Sequence, residues 1–389
     1  MNKLWTRNFT LMVLGNLLMA MAFYFLIPVL PIYITDVMKV SKGEVGLVFA
    51  TYTLAALIIR PLTGVALDTL GRKWIYLISM FFFSMLFGSY IFANTIFLLI
   101  LVRLAHGFVW GINTTAGSTI IVDFVPAERR GEGIGFYGLS MGIAMALAPY
   151  LAMKITGENN YHALFISAFV FAVVSFILVF FIRFPKFKKH ENHSGIKPEN
   201  FFTMKAVPAS LNILFIMIPY GAVITFISIF AKENHLPNPG SFFLIFAIGL
   251  TVSRILSGKI FDRKGPKGIL TFGLILLAIS IPSLAFFVTK FGFLVSSLIM
   301  GAGFGITFPI FQAMINNILK PQERGAGNST YLTAIDIGIG SGSVLIGLVS
   351  QSIGLQNAFY ICGGISLLSL VFFRFRVFPH YTFHLNNKA

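Results

Sequence analysis

The sequence predicts an all-α membrane protein: twelve transmembrane helices in two pseudo-symmetric six-helix halves, with both termini cytoplasmic. Three observations lead there. The composition is too apolar for a water-soluble surface, the apolar residues fall in twelve runs of spanning length, and a glycine-containing motif occurs once in each half of the chain. Of 389 residues, 57% are hydrophobic and only 11% charged, where an ordinary soluble domain carries about 25% charged residues. Mean hydropathy is +0.85. A soluble globular protein is therefore excluded. The single cysteine, Cys362, leaves no disulfide scaffold to build. The 44 Phe and 36 Gly suit a lipid-facing bundle whose helices approach closely.

Each span requires about 20 mostly apolar residues. The first run, 8–35, contains Pro28 and Pro31. It is too long for a signal peptide and lacks a small-residue cleavage site, so it reads as a retained helix. Runs at 44–66, 74–93, 95–122, 133–155 and 161–183 complete a first set. A stretch rich in Lys, His, Glu and Asn follows at 184–205, too polar to span. It divides the chain into a half at 1–183, a cytoplasmic linker at 184–205 and a half at 206–389. The linker is a flexible tether or a contact for anionic lipid headgroups. The second set runs over 206–231, 239–261, 268–289, 291–319, 326–350 and 356–378. These runs are continuous and long, unlike the alternating ten-residue strands of a β-barrel.

The net charge of +16 would suggest nucleic acid in a soluble protein. Here the charge sits in short segments between the apolar runs, where cytoplasmic loops collect Lys and Arg. Lys39, Lys42, Lys154, Lys232 and Lys290 fall outside when the N-terminus is inside. Arg60, Arg103 and Arg254 fall within spans, and the rest of the 29 Lys and Arg fall on the cytoplasmic side. The bias puts both termini in the cytoplasm, and no nucleic-acid partner is expected.

Residues 60–73 read RPLTGVALDTLGRK and residues 254–267 read RILSGKIFDRKGPK. Arg60 matches Arg254, Gly64 matches Gly258, Asp68 matches Asp262 and Gly71 matches Gly265. A second echo pairs PAERRG (126–131) with PQERGA (321–326). Both pairs lie at matched places in the two sets of spans, as parallel repeats related by an axis along the membrane normal would require. The chain resembles the major facilitator superfamily. Gly64, Asp68, Gly71, Arg72 and Lys73 stand as in its loop motif between helices 2 and 3, and RLAHG (103–107) is similar to its helix-4 motif. IPVLPIY in helix 1 and TAIDIGIGSG in helix 11 resemble its efflux branches, which include multidrug antiporters, sugar-efflux permeases and metallophore exporters. One departure concerns helix 5, where antiporters of this kind carry a Gly-Pro motif. Here Ala148 precedes Pro149, with Ala144 and Ala152 at positions where Gly is common.

The resemblance implies a gating role for the loop motif. Asp68 ends helix 2 near Arg72, Lys73, Arg129 and Arg130, and Asp262 with Arg263, Lys264 and Lys267 forms a second copy. Such charges serve as a conformational latch or as topology determinants with ordinary surface ion pairs. Arg60 and Arg254, one turn before the motif glycines, either snorkel to the interface or line an inner gate. Intramembrane ionisable residues are functional candidates by default. On a helical period Arg103, His106, Gly107, Trp110, Asn113, Thr114 and Gly117 share one stripe, too polar for lipid and expected to line a substrate cavity. Tyr24 in helix 1 and Gln312 in helix 10 are further cavity candidates. Asp336 is the one acidic residue clearly within a span. Burial would raise its pKa and suit it to carry a proton, with a structural partnership or substrate contact as the alternatives.

No phosphate-binding loop, no metal-ligand cluster and no nucleophile elbow is present, so neither a cofactor, a metal site nor an enzyme activity is expected. The resemblance implies a secondary active transporter of the cell membrane, of the bacterial inner membrane in particular. It is expected to work as a monomer, with a small-molecule substrate, protons and the lipid bilayer as partners. Proton-driven export by alternating access is the preferred mode. The first six spans hold no acid at mid-depth, since Glu44 and Asp123 sit at ends, so a neutral, zwitterionic or anionic solute is favoured over a lipophilic cation. An inward facilitator or proton symporter for a nutrient is the alternative. A non-transporting receptor or enzyme finds no room in such short loops.

Overall fold

The computed structural model describes residues 4–126, 129–157, 160–184, 202–236, 238–320 and 323–386. The side chains of Asp68, Arg130 and Asp262 lie outside the described residues, as does nearly all of the expected linker, so their expected roles receive no structural account. Every regular element among the described residues is helical. In order they are α1 (Arg7–Asp36), α2 (Lys42–Thr69), α3 (Arg72–Ser89), α4 (Ile96–Ile120), α5 (Arg130–Thr156) and α6 (Tyr161–Phe180). Then come α7 (Val207–Glu233), α8 (Pro239–Lys264), α9 (Pro266–Phe286), α10 (Lys290–Ile318), α11 (Arg324–Phe372) and α12 (Phe378–Asn386). Eleven stretches of the described chain are long and apolar enough to cross a membrane.

Local chemistry fixes the starts of these helices. Thr6, Thr95, Asn160 and Thr289 each accept a bond from a backbone N–H three residues on, at 3.3, 3.3, 3.1 and 3.0 Å. Ser41 and Glu44 form a reciprocal capping box at the start of α2: the Ser41 N–H donates to Glu44 Oε2 at 2.8 Å, and the Glu44 N–H donates to Ser41 Oγ at 3.4 Å. α3 and α9 instead begin after Gly71 (φ 90°, ψ 158°) and Gly265 (φ 72°, ψ −178°). The two sequence repeats therefore turn through the same left-handed backbone region, which side chains other than glycine rarely enter.

The chain forms two units. One holds α1, α3 to α6 and α2 from Thr51 onward. The other holds Ser41–Ala50 and α7 to α12. In the first unit α1 packs on α5 and α6, and α3 on α4 and α6. Buried polar side chains join these pairs: Asn16 donates to Ser140 Oγ at 2.8 Å, Ser84 to the Ala172 carbonyl at 2.9 Å, and Ser175 to the Gly15 carbonyl at 2.6 Å. In the second unit α7 packs on α11, α8 and α9 on α10, and α9 on α11. Asn212 donates to the Ser369 carbonyl at 2.9 Å, and Ser369 Oγ donates back to Asn212 Oδ1 at 2.8 Å. Ser175 binds α1 and Ser369 binds α7, the first helix of each set of six, so the repeat extends to side-chain contacts. Also within the second unit, Lys42 pairs with Glu233 at 2.6 Å.

The last two expected runs, 326–350 and 356–378, lie in two helical segments of α11 that meet at a kink: its 49 residues contain one non-helical residue, Gly354 (φ 80°, ψ 160°). The turn between the runs is so short that one glycine in the left-handed region accomplishes it. Beyond Phe372 the helix continues through one wider turn, Phe373–Val377, into α12.

Candidate functional site

The α4 stripe anticipated from sequence is buried on one face. Arg103 is 2% exposed, His106 and Asn113 are fully enclosed, and Trp110 is 7% exposed. Leu98 and Leu101 on the opposite face are exposed. The stripe can approach α2 because Gly107 lies against it: a Cβ there would strike the Tyr52 carbonyl. This close approach sets the Arg103 guanidinium over the Tyr52 ring, 4.3 Å from its centroid. An arginine cation over an aromatic face gains electrostatic attraction, more so away from water.

Further rings extend the contact. Phe23 of α1 stacks on Tyr52 (5.3 Å, 20°) and on Trp110 (4.2 Å, 25°). Tyr24 stands beside Phe23 at 5.2 Å, and both are half-buried, so they form the accessible edge of the cluster. Behind it, His106 is packed among Phe83, Phe87 and Tyr52 (4.8, 4.5 and 5.8 Å). His106 Nδ1 lies 3.0 Å from the Tyr90 hydroxyl, which is also within hydrogen-bonding reach of Arg103. Asn113 accepts a bond from Ser79 and so ties α4 to α3. Arg103, Trp110 and Tyr24 thus belong to one cation–aromatic cluster, whereas His106 and Asn113 bond to residues of or just beyond α3. Sequence reasoning missed Tyr52, Phe23 and Tyr90. Aromatic residues in apolar runs carry no local mark separating a site ring from a packing ring.

Gln312 and Asp336 belong to the second unit. Gln312 donates to Asn328 Oδ1 at 3.4 Å, linking α10 to α11. Asp336 is 8% exposed on α11. That helix is drawn onto α7 at Gly342, where a Cβ would strike the Ile218 carbonyl, and by a Thr225–Ser343 hydroxyl pair at 2.8 Å.

At the motif, Arg72 pairs with Asp123 at the end of α4, a partner that the sequence reading did not assign. Lys73 is exposed, its Nζ 4.9 Å from the Trp74 ring. Arg129 bonds Glu132 in the first turn of α5 through two contacts of 2.8 Å, and this pairing raises the Arg129 pKa. Arg60 is half-buried near Tyr52, and Arg254 is exposed near Tyr331. A Cβ on Gly64 or Gly258 would meet nothing within contact distance, so no packing in the described structure requires glycine there. Among the described residues no group of three His, Cys, Asp or Glu side chains is placed to hold a metal ion.

The model of the Major Facilitator Superfamily matches the chain over residues 12–289 and 209–388. The chain is 25% identical over 391 residues to the multidrug resistance protein MdtG of Salmonella typhi, covering 95% of each. It shares its fold with the nucleoside transporter NupG (TM-score 0.76, 17% identity, 95% of this chain and 98% of that one). It also shares it with a D-xylose–proton symporter (TM-score 0.77, 14% identity, 95% of this chain and 97% of that one).

Proposed function

The chain belongs to the major facilitator superfamily and is a multi-pass membrane transporter, not an enzyme; from that premise we propose that it exports a small neutral, zwitterionic or anionic solute in exchange for protons. The observation that carries this reading is the Arg103 cluster. A delocalised cation backed by Tyr52, with Phe23 and Tyr24 at its accessible edge, suits a solute with a planar or anionic group and opposes a simple cation. The two acids at the ends of the first six spans are otherwise engaged: Glu44 in its capping box and Asp123 with Arg72. Export is supported by the likeness to a relative named for multidrug resistance.

In this reading Arg103, Trp110 and Tyr24 contact the solute, and His106 and Asn113 hold the α4 face in shape. Asp336, buried in α11, carries the proton. The loop motif residues Gly64, Asp68, Gly71, Arg72 and Lys73, with Arg129, Arg130, Gly258 and Asp262, serve the switch between access states, and Arg60 and Arg254 flank it. Twelve crossings are part of the proposal. α11 would be about 74 Å long at 1.5 Å per residue, against a hydrocarbon core of about 30 Å. The break at Gly354 stands where Gly157 ends α5 in the first half. Both termini then face the cytoplasm, and one chain suffices for the cycle.

The test is proton movement in everted, respiring vesicles, read with a pH-sensitive dye while sugars, polycarboxylates and organic cations are added. A response to a neutral or anionic class, lost in Asp336→Asn, is expected. A response confined to organic cations would overturn the substrate reading, and one kept in Asp336→Asn would remove the proton from that carboxyl.

A further inference from the structure

The helix that follows Gly354 is longer than a crossing needs. It runs without interruption from residue 355 to 386, about 48 Å at 1.5 Å per residue, against a hydrocarbon core of about 30 Å. Its last turns, Phe373–Asn386, about 21 Å long at 1.5 Å per residue, therefore run from the acyl boundary out through the headgroups. Three stripes divide their surface. Phe373, Val377 and Tyr381 are buried on the second unit: Phe373 meets Phe311 at 5.9 Å, and Tyr381 accepts a bond from Asn317 at 3.4 Å. Phe375 and Phe383 point away, 76% and 62% exposed. Beside them run Arg376, His380 and His384, the two imidazoles 4.4 Å apart, with Arg374 exposed one turn before Phe378. Lys267 of α9 lies over the Phe378 ring at 5.4 Å and adds its charge to the same patch. No acidic residue occurs in the sequence after Asp336.

Aromatic rings that seek the acyl boundary, alternating with cations that seek the headgroups, fit one kind of surface. We propose that Phe373–Asn386, with Lys267, is a docking surface for anionic phospholipid headgroups. Phe375 enters the acyl boundary, and Arg374, Arg376 and Lys267 hold the phosphates. The anchored Tyr381 stripe fixes the orientation, so the second unit is held at a defined depth on this side of the bilayer. Sorting of charge by topology accounts for arginines at this depth but not for a helix extended past the core with two outward phenylalanines.

The experiment uses the full chain in bilayers. Cys362→Ser removes the native thiol, Phe375→Cys carries an environment-sensitive fluorophore, and lipids brominated on their tails serve as quenchers. At equal mole fraction, brominated phosphatidylglycerol is expected to quench about twofold more than brominated phosphatidylcholine. The excess should vanish in Arg374→Gln/Arg376→Gln and fall sharply in about 0.5 M salt. Equal quenching by both lipids would overturn the proposal in favour of a merely lipid-facing segment. An absence of quenching by either would overturn it in favour of a segment in water. Should the double variant fail to fold, the salt series on the unsubstituted arginines decides between the same outcomes.

Discussion

Arginine has only donors to offer, and at Arg103 that fact orders the groups behind it. If Arg103 donates to the Tyr90 oxygen, the Tyr90 proton must point elsewhere, and His106 Nδ1 stands 3.0 Å away to accept it. His106 is then a neutral imidazole with its proton on Nε2, and it holds Tyr90 so that its lone pairs face the guanidinium. His106→Leu should leave the proton of the buried hydroxyl without an acceptor, costing about 1–3 kcal/mol, seen as a lower melting temperature together with a raised KM for the solute. His106→Asn keeps an acceptor near the Nδ1 position and should restore much of both. Equal losses in the two variants would mean that ring volume matters and the bond does not. Arg103 and His106 stood out in the sequence because ionisable residues are conspicuous in an apolar run. Tyr52 did not, since its contact with Arg103 joins two helices far apart in the chain.

The helix termini give sharper tests, because their chemistry is local. Gly71 and Gly265 have φ of 90° and 72° with ψ of 158° and −178°, and an alanine in that region costs about 1–3 kcal/mol. Gly71→Ala and Gly265→Ala should each lower the melting temperature, while Gly64→Ala, which meets open space, should leave it nearly unchanged. At the start of α11, the Lys320 backbone N–H first, and then the Lys205 ammonium at 3.0 Å, hold the Glu323 carboxyl below its ordinary range. A depressed carboxyl contributes stability above its unfolded pKa, about 4.3, and loses that contribution as pH falls through the folded value. The side chain is 35% exposed, so the effect is small, under about 1 kcal/mol. The melting difference between the parent and Glu323→Gln should therefore be present at pH 6–7, begin to shrink as pH falls below about 4.3 and vanish below the folded value. A difference that persisted in acid would show that the ion pair is not its source. The loop glycines were legible in the sequence as repeated positions. The partners of Arg72 and Lys205 were not, because Asp123 and Glu323 are brought there by packing of distant helices.

At the scale of the molecule, the apolar runs anticipated α1 to α10 closely, because length and hydropathy are dictated by the bilayer. The repeat was legible in two short motifs, and the structure extends it to the matched glycine turns and to Ser175 and Ser369. The last two runs match the two helical segments that meet at Gly354, but the one-residue break between them was not foreseen, since hydropathy reads crossings and is blind to how tightly a turn is made. The substrate is the least legible feature, because the rings and the cation that would contact it are set by tertiary packing. The direction of coupling is the central claim, and reconstituted proteoliposomes with an imposed pH gradient test it most directly. Solute supplied outside should accumulate when the interior is acid, because protons leaving by antiport drive it inward, and Asp336→Asn should abolish the accumulation. Accumulation when the interior is alkaline would make the protein a symporter and contradict the account.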